Sequence, residues 1–360
     1  MTRSTDFSPA WASPPGETVR HLAAKKNLRF DDLAQALGVP REDLSQFFNG
    51  ELSITPGRAK GLAGVVGASV HFWLAREAQY RQDGQTLRDE SRRWVASLPF
   101  ADMARYGWLN TTTSTGDKLR QALEFFGVTT VDEWRDTWLS DRAGLTAYRT
   151  SPVFAAQSAS VAAWLRQGEL AAAELSASAW SRDRFERLLP SLRPLTRVNE
   201  PGEFIPRLQE QCAACGVAVV VVRAPKGCPA SGATRVKNGK AILQLSVRYL
   251  RDDSFWFTFF HEAGHLVLHE DRLFLEWSDR RELDSQEEAE ANKFAGQMLI
   301  PQSEEGALRA LPHEYRSIMR FAKNLSISPG IVVGQLQHRG LVRQDRLNFL
   351  KKRYSWAEQS

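Results

Sequence analysis

Cysteine is scarce in this chain: Cys212, Cys215 and Cys228 are the whole supply in 360 residues. A small, odd number argues against a disulfide-stapled scaffold and points to a reducing, cytoplasmic compartment. Long apolar runs are missing too. The most apolar stretch, Phe255–Phe260, is far too short to cross a bilayer, so no membrane span is expected. The opening residues Met1–Gly16 lack an apolar h-region, so no signal peptide is expected. No block of Lys or Arg stands out. A net charge of +5 permits nucleic acid as a partner without demanding it. There is no internal repeat, which sets aside solenoid architectures.

What is present supports a folded, multidomain protein. The length suggests two or three domains. With 42% hydrophobic residues, 11 Trp and 19 Phe, a sizeable core can be buried. The expected architecture is multidomain and mostly α. It comprises an N-terminal helix-turn-helix bundle, a helical middle region, and a C-terminal α+β domain with a small β-sheet. The pattern divides the chain into a disordered leader over 1–16, a helical module over 17–83, a helical region over 84–196, an α+β unit over 197–302 and a helical extension over 303–360.

In the first module, Val19, Leu22 and Ala23 mark one helix. Leu33, Ala34 and Leu37 mark a second, ended by Gly38. Leu44, Phe47 and Phe48 mark a third, ended by Asn49-Gly50. Pro56 opens a fourth, and Val70, Trp73 and Leu74 begin a fifth. Further on, Leu119, Leu123, Phe125 and Phe126 form one apolar stripe, and Val161, Ala162, Trp164 and Leu165 another. Pro190 and Pro194 mark a boundary. The texture then changes. The β-branched run Val217–Val222 and the alternating Ala241–Leu245 read as strands, with Asn238-Gly239 as a hairpin turn. Asp252–His269 and Ser285–Leu299 read as helices.

Cys212 and Cys215 form a C-x-x-C. There is no second pair, and both sit where a helix ends, so a structural role is the plainer reading. The chemistry concentrates instead in His261-Glu262-Ala263-Gly264-His265. On a helix, residues four apart lie one above the other, so both imidazoles can hold one metal ion. Zn²⁺ takes nitrogen and oxygen ligands tetrahedrally, and a catalytic site keeps one position for water. The ion lowers the pKa of that water to roughly 7, and Glu262 is placed to act as general base. Asp252 or Asp253 can cap this helix. Gly264 costs roughly 1 kcal/mol against Ala, which implies close packing by substrate or a neighbouring strand.

A third ligand is expected on the later helix. Glu287 and Glu288 flank its apolar face and Glu290 lies further off. Asp284-x-x-Glu287 and Ser285-x-x-Glu288 also read as capping boxes, and spacing alone does not choose between them. His269, one turn beyond His265, is expected to support the site rather than bind the ion. Ligand type alone does not separate Zn²⁺ from Mn²⁺ or Fe²⁺.

The segment from about Pro201 to Pro301 resembles the ImmA/IrrE family of metallopeptidases. The resemblance is carried by Trp256 through His269, by Glu288-Ala289-Glu290-Ala291-Asn292-Lys293-Phe294-Ala295, and by Leu299-Ile300-Pro301. It implies a zincin-like fold with Zn²⁺ as cofactor and Glu288 as the third ligand. It also implies a cytosolic endopeptidase that cuts a repressor-type protein in stress or mobile-element control. Asn292, one turn after Glu288, can orient a ligand.

The amino-terminal module resembles XRE-type, HigA-like antitoxins. The matching residues are Leu33–Val39, Phe48-Asn49-Gly50, Ile54-Thr55-Pro56, Phe72-Trp73-Leu74 and Tyr80. In that reading Pro40–Asn49 is the recognition helix, presenting Arg41, Ser45 and Gln46 to operator DNA. Homodimerisation is compatible with such a module. Two features oppose DNA binding: Glu42 and Asp43 lie on the same helix, and Phe30 stands where the family usually has a polar residue. Over 17–83, nine Lys/Arg face eight Asp/Glu, a net of only +1. The competing reading is an antitoxin-like repressor whose zinc domain senses or scaffolds without cutting.

Overall fold

A computed structural model describes residues 13–139, 152–246, 251–269, 273–277 and 286–354. Asp284 and Ser285, the expected capping residues, lie outside the described residues, as do residues 1–12 of the expected leader. The chain is mostly helical with one small mixed sheet. It divides into two compact units, the first running to Ala96 and the second containing almost all the rest. Among the described residues no helix is long and apolar enough to cross a membrane.

The first unit holds α1 (Pro15–Lys25), α2 (Phe30–Leu37), α3 (Leu44–Phe48), α4 (Pro56–Val65) and most of α5 (Val70–Ser97). Proline at the first helical position opens α1 and α4, where its missing N–H costs nothing. Thr55 adds a side-chain cap to α4, accepting from the Arg58 N–H. Gly38 ends α2 in the left-handed conformation at φ 64°. Val19, Leu33, Phe47, Leu62 and Trp73 are buried together as the core of this unit. Three boundaries differ from the sequence pattern. α1 starts at Pro15, inside the expected leader. The expected junction at 83/84 falls within the continuous helix α5. Pro40–Asn49 is not one helix either: a 3-10 turn over Arg41–Asp43 precedes the five-residue α3.

The second unit begins with α6 (Phe100–Arg105), α7 (Thr115–Phe126), α8 (Val131–Trp138), α9 (Pro152–Glu174) and α10 (Arg182–Leu188). Pro190 and Pro194, expected to mark a boundary, fall inside the second unit. They lie in a 3-10 helix, Leu189–Arg197, whose every-third-residue Leu189, Leu192 and Leu195 are buried in the main core. Next come α11 (Pro201–Ala213), β1 (Val217–Val221), β2 (Ala230–Lys237), β3 (Lys240–Leu245), α12 (Asp252–Leu268), β4 (Phe274–Trp277) and α13 (Gln286–Leu299). The chain continues through α14 (Glu305–Arg309), α15 (Tyr315–Asn324) and α16 (Pro329–His338).

The sheet order is β1-β3-β2-β4. β2 and β3 form the expected hairpin around Asn238-Gly239, both at positive φ (53° and 73°), as a tight primed turn requires. β1 pairs parallel to β3, and β4 adds antiparallel to β2 at the edge. β4 has only four residues, too few for a periodic signal.

α12 crosses this sheet with Phe255, Trp256, Phe259 and Phe260 buried among Phe204, Leu208, Val219 and Leu243. Each such aromatic contributes about 1.5–3 kcal/mol by burial. α15 and α16 bury Ile318, Phe321, Ile331 and Val332 in the same core. The segment expected as an extension is therefore part of this domain, and so are the helices immediately before it. α12 is not capped by an Asp side chain at its N-cap, which is Arg251. Asp252 lies inside the first turn, fully buried. It accepts from the Asp253 and Lys352 backbone N–H groups (2.9 and 3.0 Å) and from the Ser328 hydroxyl.

Candidate metal centre

α12 and α13 lie side by side, and their contact places the candidate ligands. His261 and His265, one turn apart on α12, bring their Nε2 atoms to 3.0 Å from each other. Glu288 of α13 sets one carboxylate oxygen 3.2 Å from His261 Nε2 and the other 3.3 Å from His265 Nε2. Ligand bonds of about 2.0 Å at tetrahedral angles put neighbouring donors about 3.3 Å apart, so these separations fit one small divalent ion. The two histidines are buried and Glu288 is partly so.

The hydrogen bonds behind the ligands set their tautomers. His261 Nδ1–H donates to Asn292 Oδ1 at 3.2 Å, which leaves Nε2 with a bare lone pair. On the other side runs a longer chain. Glu290, ionised and acceptor-only, takes the His269 Nε2–H at 3.2 Å. His269 Nδ1 is then the acceptor for His265 Nδ1–H at 3.0 Å, so His265 Nε2 is bare as well. Gln286 first, and then His269, hold the Glu290 carboxyl below its usual range. Two imidazole lone pairs and a carboxylate thus converge on one point, an arrangement that calls for a cation between them.

Electrostatics agree. Burial pushes the Glu288 carboxyl up, but hydrogen bonds and charge from the His261 and His265 rings when they carry a proton on Nε2 outweigh that and bring it to about 2; a cation in the same place would favour the ionised carboxylate in the same sense. Burial lowers His265, favouring the neutral ring that binds metal, against the opposing pull of Glu288. Phe274 of β4 stacks on the His265 ring at 4.2 Å, nearly parallel, and fixes its plane. Arg182 donates to the His269 carbonyl at 3.1 Å and secures the end of α12.

Glu262 is fully buried and turns toward β2. There Gly232 clears its space: a Cβ at that position would run into the Glu262 carboxylate. The pairing of β2 with β4 slips between Ala230 and Gly232, an irregularity of the kind found beside active sites. Gly264 faces α13, not a strand. Its missing Cβ would lie 3.1 Å from Phe294 and 3.3 Å from Ala291, so it permits the close approach of α13 that delivers Glu288.

The residues expected to share a centre, His261, Glu262, His265, Glu288 and Asn292, are adjacent; Glu287 is not in the ligand cluster. Arg41, Ser45 and Gln46 belong to the other unit and are exposed. Each is tied locally: Arg41 to Asp31 at 2.9 Å, Ser45 to the Glu42 carbonyl at 3.3 Å, and Gln46 to Asp43 at 3.1 Å. Sequence reasoning missed Gly232, Phe274 and the role of Glu290. Only Gly232 left a signal, a glycine inside a strand. Cys212 and Cys215 are free and buried, and burial raises both thiols, which suits structural residues.

A helix with two histidines and a glutamate, completed by a carboxylate from the next helix over a mixed sheet, is an arrangement that metallopeptidases use. Residues 216–336 match the model of a peptidase family described as the IrrE N-terminal-like domain. That match runs from the first strand to α16, about one third of the chain, and supports a metallopeptidase. No curated protein matches the chain.

Proposed function

We propose that this protein is a zinc-dependent endopeptidase that cuts a protein partner, with its amino-terminal helices as a regulatory module. The observation that carries the reading is the convergence of the His261 and His265 Nε2 atoms and the Glu288 carboxylate on one point, with Glu262 buried on the same helix as the histidines. His261, His265 and Glu288 would hold the ion, which when bound supplies Lewis acidity, polarising a carbonyl and acidifying water. Asn292 and His269 keep the ligand nitrogens free of protons. Glu262 takes a proton from the attacking water and returns it to the leaving amine. Its burial and the cleared space at Gly232 hold that carboxylate in one position.

The resemblance to ImmA/IrrE proteins favours a repressor-type protein as substrate, in stress, mobile-element or toxin–antitoxin control. The matching experiment uses the full, zinc-loaded chain against a library of proteome-derived peptides, read by mass spectrometry. Wild type is expected to generate new termini. Glu262→Gln is expected to keep its zinc and lose activity about 10²–10⁴-fold. A Glu262→Gln variant as active as wild type would overturn the mechanism.

A second reading rests on the first unit. Arg41, Ser45 and Gln46 are exposed on a segment anchored by the buried Leu44, Phe47 and Phe48, as a surface meant for operator DNA would be. In that reading the chain is a HigA-like repressor, compatible with a homodimer, whose zinc domain senses or scaffolds. A wild type that binds zinc yet cuts nothing in the library, while shifting its own promoter DNA, favours it over the peptidase.

A further inference from the structure

A cavity of about 390 Å³ opens between α13, α14 and α16. It borders the metal centre through a shared residue: Asn292 lines it and also accepts from His261 Nδ1–H at 3.2 Å. Phe257, one turn before His261 on α12, forms part of its wall. The volume is that of a pocket for a side chain with its water, within the usual range of about 300–1,000 Å³ for ligand sites.

The lining is charged in one direction. Lys293, Arg309 and Arg339 face a single carboxylate, Glu305. Arg339 grips Glu305 with two hydrogen bonds, 3.1 and 3.0 Å, and also donates to the Gln335 carbonyl and amide oxygens. Arg309 reaches the same Glu305 at 3.0 Å. Arg339 and Glu305 thus balance each other, and Arg309 and Lys293 leave a surplus of two positive charges at an open mouth. Gln335 is buried, with its amide oxygen already taken by Arg339, so its NH₂ remains as a donor. Gly296 keeps the floor open: a Cβ there would meet only Gln335, at an ordinary 3.7 Å.

We propose that this cavity is a subsite for a carboxylate side chain, Asp or Glu, of the polypeptide bound at the metal centre. It rests on the peptidase reading for its purpose, but its occupancy can be measured without turnover. A carboxylate entering here meets Lys293 and Arg309 at the rim and the Gln335 amide below. It sits next to the residue that orients His261. The chemistry selects an acidic segment of a partner protein, and attraction to the surplus charge weakens as salt rises.

The test uses the full chain and a labelled, acetylated and amidated tetraglutamate peptide, with tetraglutamine carrying the same label as the neutral control, read by fluorescence anisotropy at low salt. Tetraglutamate is expected to bind wild type at least about tenfold more tightly than tetraglutamine. The paired reversal Lys293→Glu with Arg309→Glu is expected to remove that preference, and the milder Lys293→Gln to reduce it. Reversing two charges elsewhere, Arg316→Glu with Arg320→Glu on the exposed face of α15, is expected to leave it intact. Glu288→Ala, which targets only the metal, is also expected to leave it intact, so failure of the metal centre and failure of this subsite are separate results. Equal binding of the two peptides, a preference untouched by the Lys293 and Arg309 reversals, or one abolished by the α15 reversals or by Glu288→Ala overturns the proposal.

Discussion

The two units hold their candidate functional residues in opposite ways. In the second unit, His261, His265 and Glu288 come from two helices and meet at one point. Each histidine is backed by a partner that fixes its protonation. In the first unit, Arg41, Ser45 and Gln46 come from one short segment, and each bonds to a neighbour a few residues away or across a turn. A metal site is over-determined, because several side chains must satisfy one ion and any misplaced one is buried at a cost. A surface for nucleic acid or protein carries no such internal demand. Its charged groups pair with each other until a partner arrives.

That contrast can be broken at the metal centre itself. If the backing groups matter, the largest effect short of removing a ligand or Glu262 comes from His269. His269→Ala is expected to weaken zinc about 10–100-fold by competition with a chelating dye, and His269→Gln to recover part of the loss. In metal-free protein, ¹⁵N shifts of the His265 ring should show the proton on Nδ1 and shift toward the mixed tautomer in His269→Ala. Unchanged affinity and unchanged shifts would mean that His265 is held by packing against Phe274 alone.

A smaller effect is expected where the two helices meet. Gly264→Val places its side chain against Phe294 and Ala291 and is expected to destabilise the domain by about 1–3 kcal/mol in urea unfolding. Zinc affinity should fall with it, because α13 is displaced together with Glu288. A variant as stable as wild type would show that α13 is free to move outward, and that the convergence is less rigid than the geometry implies.

The smallest effect is a pH dependence from the start of α12. Burial raises Asp252 to about 6, against the opposing hydrogen bond from Ser328. The unfolded chain releases that proton near its ordinary value of 3.8. Between these values the folded state holds a proton the unfolded state has lost, so stability contributed here falls as pH rises toward 6. Above 6 the cost is constant. The Tm of wild type relative to Asp252→Asn should therefore increase as pH is lowered from 7 toward 4.5. Parallel Tm profiles would place the charge-burial cost elsewhere.

Much of the centre was legible because its signals are local. Two histidines four residues apart require only a helix, and the aromatic run before them says that the helix is buried. What was hidden depends on contacts between distant segments. Glu287 and Glu288 are indistinguishable until α13 is set against α12. Gly264 looked like a gap for substrate, yet its neighbour is Phe294, thirty residues on. Phe274 lies on a four-residue strand that no periodicity reveals. The domain limits were blurred for the same reason: Leu189, Leu192 and Ile331 join one core with Trp256, although prolines and turns separate them along the chain. In the first unit the helices were plain from their apolar spacing, but spacing says nothing of what the exposed face is for.

The most direct test is elemental analysis of purified full-length protein and of three single variants. One zinc per chain is expected in wild type and in Glu287→Ala, and none in His265→Ala or Glu288→Ala. A well-folded wild type that takes up no metal even when zinc is supplied, or a Glu288→Ala variant that keeps it fully, would contradict the site as described.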